Sequence, residues 1–196
     1  MNSRNFLLSV VAAILTAFFL PPTLQAKGVD ILSKYPTYYI YVGYTALAVV
    51  GMVVMYYIGK KLAILWQLSK FGLVGVLNTA IDFGILNYLS TYTGVTGGLQ
   101  LIPIKAVSFS VALANSYWWN KNWVFEGKKK ANPLTFVVVS TIGISVNVGT
   151  VYILTTLIPA PAGVSAKLWL NIANIGATFL SLVWNFLGYR LVVFKK

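Results

Sequence analysis

The chain has 196 residues, of which 58% are hydrophobic and 9% charged, with no cysteine, no histidine, 15 lysines and arginines and three acids, for a formal net charge of +12. A soluble domain carries about 25% charged residues, so an ordinary soluble domain is excluded. The missing cysteine and histidine leave no ligands or nucleophiles for a structural zinc site, a disulfide framework, a thiol enzyme, a haem or a serine–histidine relay.

In chain order, residues 1–26 have the layout of a secretory signal or a signal-like helix: Arg4 as the basic start, an apolar stretch from Phe6 to Leu20, then Pro21, Pro22 and a cleavage point after Ala26. Leu24 stands where such a site prefers a small residue, so a retained helix is the alternative. Residues 27–59 bring an extra transmembrane helix, spanning about Tyr38 to Ile58, with tyrosines at both ends forming an aromatic belt. Residues 60–70, from Lys60-Lys61 to Lys70, are too short and too amphipathic to cross and are expected to lie in the interface. Residues 71–196 then hold four spans, roughly 71–91, 99–119, 134–157 and 168–190, separated by turn-rich segments.

Lys60, Lys61, Lys70, Lys121, Lys128, Lys129, Lys130, Arg190, Lys195 and Lys196 all fall on one side of this arrangement. The positive-inside rule makes that side the cytoplasm, with a cytoplasmic C-terminus and an inner-membrane location. The basic balance is thereby accounted for by topology, and no nucleic-acid partner is expected.

The last four spans repeat. Phe71 to Leu89 aligns with Phe136 to Leu154 at an offset of 65, placing Asp82 on Asn147 and Gly84 on Gly149. In the following spans Asn115 falls on Asn185 and Ser108 on Thr178 at an offset of 70, and the two exits, Lys121 to Phe125 and Arg190 to Phe194, match at 69. Two copies of a two-helix unit keep the same orientation, as parallel repeats related by an axis along the membrane normal.

Each repeat helix also carries one polar stripe, since side chains three and four apart share a face. The stripes are Gly75, Asn78 and Asp82; then Lys105, Ser108, Ala112, Asn115, Trp119 and Asn122; then Ser140, Gly143 and Asn147; then Asn171, Asn174, Thr178, Ser181 and Asn185. Polar groups facing lipid are costly, so the stripes are expected to turn toward one another and build a seam or cavity. Helix-packing glue explains the same residues without a ligand. Two of them are charged. Asp82 and Lys105 should differ in depth by about a turn or two, so they can pair; Lys105 can instead snorkel outward and leave Asp82 protonated or solvated. Either residue could also meet a polar head group in passage.

The string Phe71-Gly72-Leu73-Val74-Gly75-Val76-Leu77-Asn78-Thr79-Ala80-Ile81-Asp82-Phe83, with Asn115 through Asn120-Lys121-Asn122-Trp123-Val124-Phe125 and the closing Asn185 to Phe194, resembles the GtrA-like family over about residues 68–196. Asn120-Lys121-Asn122 stands where that family commonly shows an arginine before Trp-Val-Phe. The resemblance implies an all-α integral membrane protein, a four-helix GtrA-like bundle made of two parallel two-helix repeats, preceded here by the signal-like segment and the extra helix. It further implies translocation of a polyprenyl-phosphate-linked sugar lipid for cell-envelope polysaccharide synthesis, with no cofactor and no catalytic or metal site.

On that reading the substrate-binding candidates are Asn78, Asp82, Lys105, Asn115, Asn147 and Asn185 along the seam. Lys121 and Arg190, with Lys70, would collect the phosphate at the inner rim, and Tyr117, Trp118 and Trp119 would offer faces to the sugar. A non-transporting scaffold for a membrane glycosyltransferase is the alternative, and a small proton-coupled cation exporter a third reading. Because four helices surround little space, a homo-oligomer is expected. With three acids in separate segments a paired-carboxylate enzyme is not.

Overall fold

The structure, a computed structural model, describes residues 1–26, 36–95, 99–126, 131–158, 160–164 and 166–194. Asp30, Lys128, Lys129, Lys130, Lys195 and Lys196, and the side chains of Asn171 and Asn174, lie outside the described residues. The described chain is helical: α1 (Ser3–Ala26), α2 (Thr37–Gly59), α3 (Ala63–Thr93), α4 (Leu101–Trp119), α5 (Pro133–Tyr152) and α6 (Ala166–Gly188). The last three each run into a π-helical turn, Asn120–Val124, Ile153–Leu157 and Tyr189–Val193.

Among the described residues, five stretches are long and apolar enough to cross a bilayer: Ser3–Pro21, Thr37–Gly59, Ala63–Thr93, Pro133–Thr150 and Gly176–Val193. Helix α4, with Lys105, Ser108 and Asn115, is not among them. Its 19 residues reach about 28 Å at 1.5 Å per residue, close to the roughly 30 Å hydrocarbon thickness. The chain divides into two compact units, Met1–Glu126 and Gly127–Lys196.

In the first unit α1 is a packed helix. Asn5, Ser9, Ala12, Ala13, Thr16 and Ala17 are all buried, at spacings that make one stripe. The two hydroxyls can be buried because they bond within the helix, Ser9 Oγ donating to Asn5 O and Thr16 Oγ1 to Ala12 O, each at 2.8 Å. Small side chains let this stripe approach α3 closely, as in membrane helix pairs generally. Phe19 of α1 fills the notch at Gly84 of α3, where an added β-carbon would lie 2.6 Å from the ring.

Helix α2 packs on both α1 and α3. It turns into α3 through a tight approach of Gly59 to Trp66, and Tyr56 meets the Trp66 ring edge-on at 5.5 Å. Residues 63–70, expected to lie apart in the interface, are the first two turns of α3 itself. No proline or glycine interrupts them, and Lys70 is turned inward, 4% exposed. Gly94, at φ 72°, ends α3 in the left-handed conformation that glycine adopts most easily.

The second unit is the α5–α6 hairpin. Asn132 caps α5 by accepting from Leu134 N at 2.9 Å, with Pro133 at the first helical position. Phe136 stacks on Tyr189 with centroids 4.4 Å apart, and Val139 sits against Gly188. Trp169 closes the opposite end by donating to Leu154 O at 2.7 Å.

The internal repeat has a geometric counterpart in the two hairpins, α3–α4 and α5–α6. Phe71 meets Phe125 at 6.3 Å and 64°, and the equivalent Phe136 meets Phe194 at 6.2 Å and 65°. Both exits close with the same π-turn bond, Phe125 N to Asn120 O and Phe194 N to Tyr189 O, each 2.8 Å.

Candidate functional site: the polar seam of the first hairpin

Helices α3 and α4 run antiparallel, so stripes that the sequence places 23 to 37 residues apart meet along their seam. Two hydrogen-bonded clusters result. In the first, Trp119 Nε1 donates to Asn115 Oδ1 at 3.1 Å, and Asn115 Nδ2 donates to Asn78 Oδ1 at 2.7 Å. In the second, Lys105 Nζ donates to Asp82 Oδ2 at 2.5 Å and Ser108 Oγ to Asp82 Oδ1 at 2.7 Å. Asp82 lies one turn beyond Asn78, and Ser108 two turns before Asn115, so both clusters share one interhelical line.

The ion pair is lopsided. The Asp82 side chain is 17% exposed and that of Lys105 46%. One partner is therefore anchored in the seam while the other opens outward, its ammonium 5.8 Å from the Phe83 ring centroid. Each charge alone would cost about 3 kcal/mol or more at membrane depth; paired, and with Ser108 on the second carboxylate oxygen, the group is nearly neutral. Chemically this is a part-buried carboxylate anchor paired with a half-exposed cation.

Below the seam the end of α4 is capped. Helix C-termini present unsatisfied carbonyls and partial negative charge, and three consecutive carbonyls here find side chains from elsewhere in the unit. Arg4 Nη2 donates to Asn122 O at 2.6 Å, Lys70 Nζ to Trp123 O at 2.7 Å, and Gln67 Nε2 to Val124 O at 3.1 Å. Glu126 lies 2.5 Å from Arg4 and 3.6 Å from Lys70. Trp123, fully buried, donates its indole N–H to Asn5 Oδ1 at 2.9 Å.

The expected site residues are distributed as follows. Asn78 and Asn115 meet each other, as do Asp82 and Lys105. In the second unit Asn185 lies against Gly143, where a β-carbon would collide with its amide, and Asn147 is half-buried. Lys121 is exposed, its ammonium 5.6 Å from the Tyr117 ring, and the Arg190 guanidinium stands 6.0 Å from the Phe186 ring. Trp118 is exposed, but Trp119 is buried and spends its N–H on Asn115. Trp119 therefore presents no free face to a sugar. Lys70, expected at the rim, is a buried cap.

Sequence reasoning missed the α4 cap: Arg4 reads as the basic start of a leader, and Asn5 and Gln67 carry no signal of their own. The scarcity of acids is the one available hint, since each acid among so many bases should find a cationic partner.

Helix hairpins of this length and composition, with Asp82 and Lys105 paired along an interhelical seam, define a multi-pass membrane protein. The chain belongs to the GtrA/DPMS transmembrane-domain family, which matches residues 70–194. It is also 35% identical over 127 residues to the uncharacterized membrane protein YngA of Bacillus subtilis (strain 168), covering 65% of this chain and 78% of that protein. No solved structure matches it. Helices α1 and α2 lie outside the matched region.

Proposed function

We propose that this protein translocates a polyprenyl-phosphate-linked monosaccharide across the cytoplasmic membrane, for cell-envelope polysaccharide synthesis or glycosylation, with its C-terminus in the cytoplasm. Family membership supplies the substrate class. The observation that carries the reading is the Asp82–Lys105 pair, with its acid anchored by Ser108 and its lysine half-open. The prenyl tail of such a lipid stays in the hydrocarbon, so only phosphate and sugar need a polar route. Lys105 can swing from Asp82 to the phosphate while Ser108 continues to hold the carboxylate, keeping the uncompensated charge small throughout. Asn78 and Asn115 continue the line with amides able to exchange partners with sugar hydroxyls. Lys121 and Arg190 are proposed to attract the phosphate at the inner rim, and Asn147 and Asn185 to play the corresponding part in the second hairpin.

The test is a liposome assay in which purified protein is expected to accelerate transbilayer movement of a polyprenyl-phosphate sugar. Lys105→Ala and Asp82→Asn should lower the rate at least tenfold in protein that remains folded. An unaltered rate in both variants would remove the ion pair from the mechanism.

A second reading is a non-transporting scaffold for a membrane glycosyltransferase, acting as a homo-oligomer. It is favoured by the way Asn78, Asn115 and Trp119 satisfy one another, as pure packing groups would. Under that reading the same variants would leave transfer intact and weaken co-purification with the enzyme.

A further inference from the structure

The first 26 residues have the sequence layout of a cleavable leader, yet in the fold they hold the end of a helix that carries functional candidates. We propose that α1 is retained in the mature protein and acts as a clamp on α4, with Arg4 and Asn5 as positioning residues for the seam.

Three observations carry this. First, Arg4 spans from α1 to the α4 terminus with two bonds, one to the Asn122 carbonyl and one to Glu126. Asn5 accepts from the indole of Trp123, the residue whose carbonyl Lys70 caps. Removing α1 would strip one of the three carbonyl caps and leave a fully buried indole N–H without an acceptor, and buried unsatisfied groups are costly.

Second, the buried face of α1 is fitted against both α3 and α2. Ser9, Ala12, Ala13 and Thr16 are fully buried and Ala17 is 1% exposed, and Phe19 occupies the Gly84 notch. Loss of α1 would expose this seam. A leader that is discarded has no need of such a fit.

Third, the bond after Ala26 follows a helix that continues through Ala26, and Leu24 occupies a position where cleavage wants a small residue. A peptidase would have to unwind the helix at an unfavourable sequence. The functional consequence follows from α4 being one rigid element. Trp119 and Asn115 lie one and two turns before Trp123 in the clamped π-turn, so fixing the helix end fixes their register against Asn78. The clamp adds to the family hairpin a part that residues 70–194 do not contain.

Two measurements test this on the full chain carrying a C-terminal tag. Intact mass spectrometry of membrane-purified protein should give the mass of the whole 21.5 kDa chain plus tag; a product shortened by 26 residues would overturn the proposal. Amide hydrogen exchange should then report the clamp. Arg4→Gln, a change at a 58% exposed side chain that leaves the core intact, is expected to speed exchange across residues 120–126 about tenfold relative to residues 189–194 of the same molecule. Asn5→Leu, which removes the indole acceptor, should do the same. Exchange in the 120–126 segment unchanged in both variants would show that α1 is passive packing and would overturn its role as a clamp.

Discussion

In the α3–α4 hairpin the amide of Asn115 is satisfied on both sides, donating to Asn78 and accepting from Trp119. Its counterpart in α5–α6, Asn185, lies against Gly143, and its Oδ1 is buried with no hydrogen-bond partner among the described residues. One helical turn further along the relation inverts. Tyr189 shares a 2.6 Å hydrogen bond with Ser140, whereas the equivalent Asn120 keeps a buried Oδ1 with no hydrogen-bond partner among the described residues, and the equivalent of Ser140 is Gly75, which has no side chain to offer one. At the same register Asp82 falls on Asn147 and Lys105 on Ile175, so the charge pair has no charged counterpart. The shared features are apolar and aromatic closures that set where the helices cross. The differing features are polar groups: among the described residues the amide–amide bond and the intramembrane ion pair belong to the first hairpin, and the hydroxyl–hydroxyl bond of Tyr189 and Ser140 to the second. The duplicated scaffold has therefore kept its aromatic closures twice and its charge pair once.

The sharpest way to break that comparison is to uncouple the ion pair. Lys105→Ala leaves the anchored Asp82 carboxylate with Ser108 as its remaining named partner at membrane depth, an expected loss of about 3 kcal/mol. Asp82→Asn should cost about 1 kcal/mol, because the half-exposed lysine can snorkel. The double variant Asp82→Asn with Lys105→Met should recover most of the loss. Asn147→Leu, at the equivalent place in the second hairpin, is expected to stay within about 0.5 kcal/mol of the parent, since it removes no charge. Thermal melting in detergent micelles ranks the four, and an Asn147→Leu penalty equal to that of Lys105→Ala would erase the asymmetry.

A second contrast uses two equivalent glycines. A β-carbon at Gly84 would lie 2.6 Å from Phe19 Cδ1 and 3.3 Å from its Cβ, while one at Gly149 meets nothing within 4 Å among the described residues. Gly84→Ala should therefore cost about 2 kcal/mol through overpacking against α1, and Gly149→Ala should gain about 0.5 kcal/mol of helix propensity. The same melting series reads both. Equal shifts would mean that α1 does not press on α3, and the clamp would lose its lateral support.

Much of this was legible in the sequence because membrane helices obey few rules. Length and apolarity gave the spans, the offsets of 65, 69 and 70 gave the repeat, and i, i+3, i+4 spacing gave the Asn78–Asp82 and Lys105–Ser108–Asn115 stripes that meet in the first hairpin. What stayed hidden depends on long-range partners. Nothing local in Arg4 or Asn5 announces that they reach the α4 terminus, more than a hundred residues away. A lysine at a membrane border looks the same whether it faces water or, like Lys70, turns inward to cap carbonyls. The π-turns were also silent, since the exits read as ordinary helix ends. Periodicity placed Asn185 on its stripe but could not tell that its neighbour would be Gly143 and not a second amide.

That last difference yields the smallest and most discriminating prediction. Removing a satisfied buried amide costs the bonds it makes and strands its partners, whereas removing an amide whose oxygen is already unpartnered relieves a penalty present in the folded state. Asn115→Leu should strand Asn78 and the Trp119 indole and cost about 2 kcal/mol. Asn185→Leu removes the orphaned oxygen, with leucine of similar volume filling the space against Gly143, and the expected change is near zero or slightly stabilising. Placing an asparagine opposite it, Gly143→Asn, would not rebuild the first hairpin's bond, because Asn185 already occupies the space a β-carbon would need. In melting experiments the two leucine variants should thus differ by about 2 kcal/mol although they alter equivalent positions. Equal costs would mean that Asn185 holds polar partners as firmly as Asn115 does, and the second hairpin would then have to be counted as a polar element in its own right.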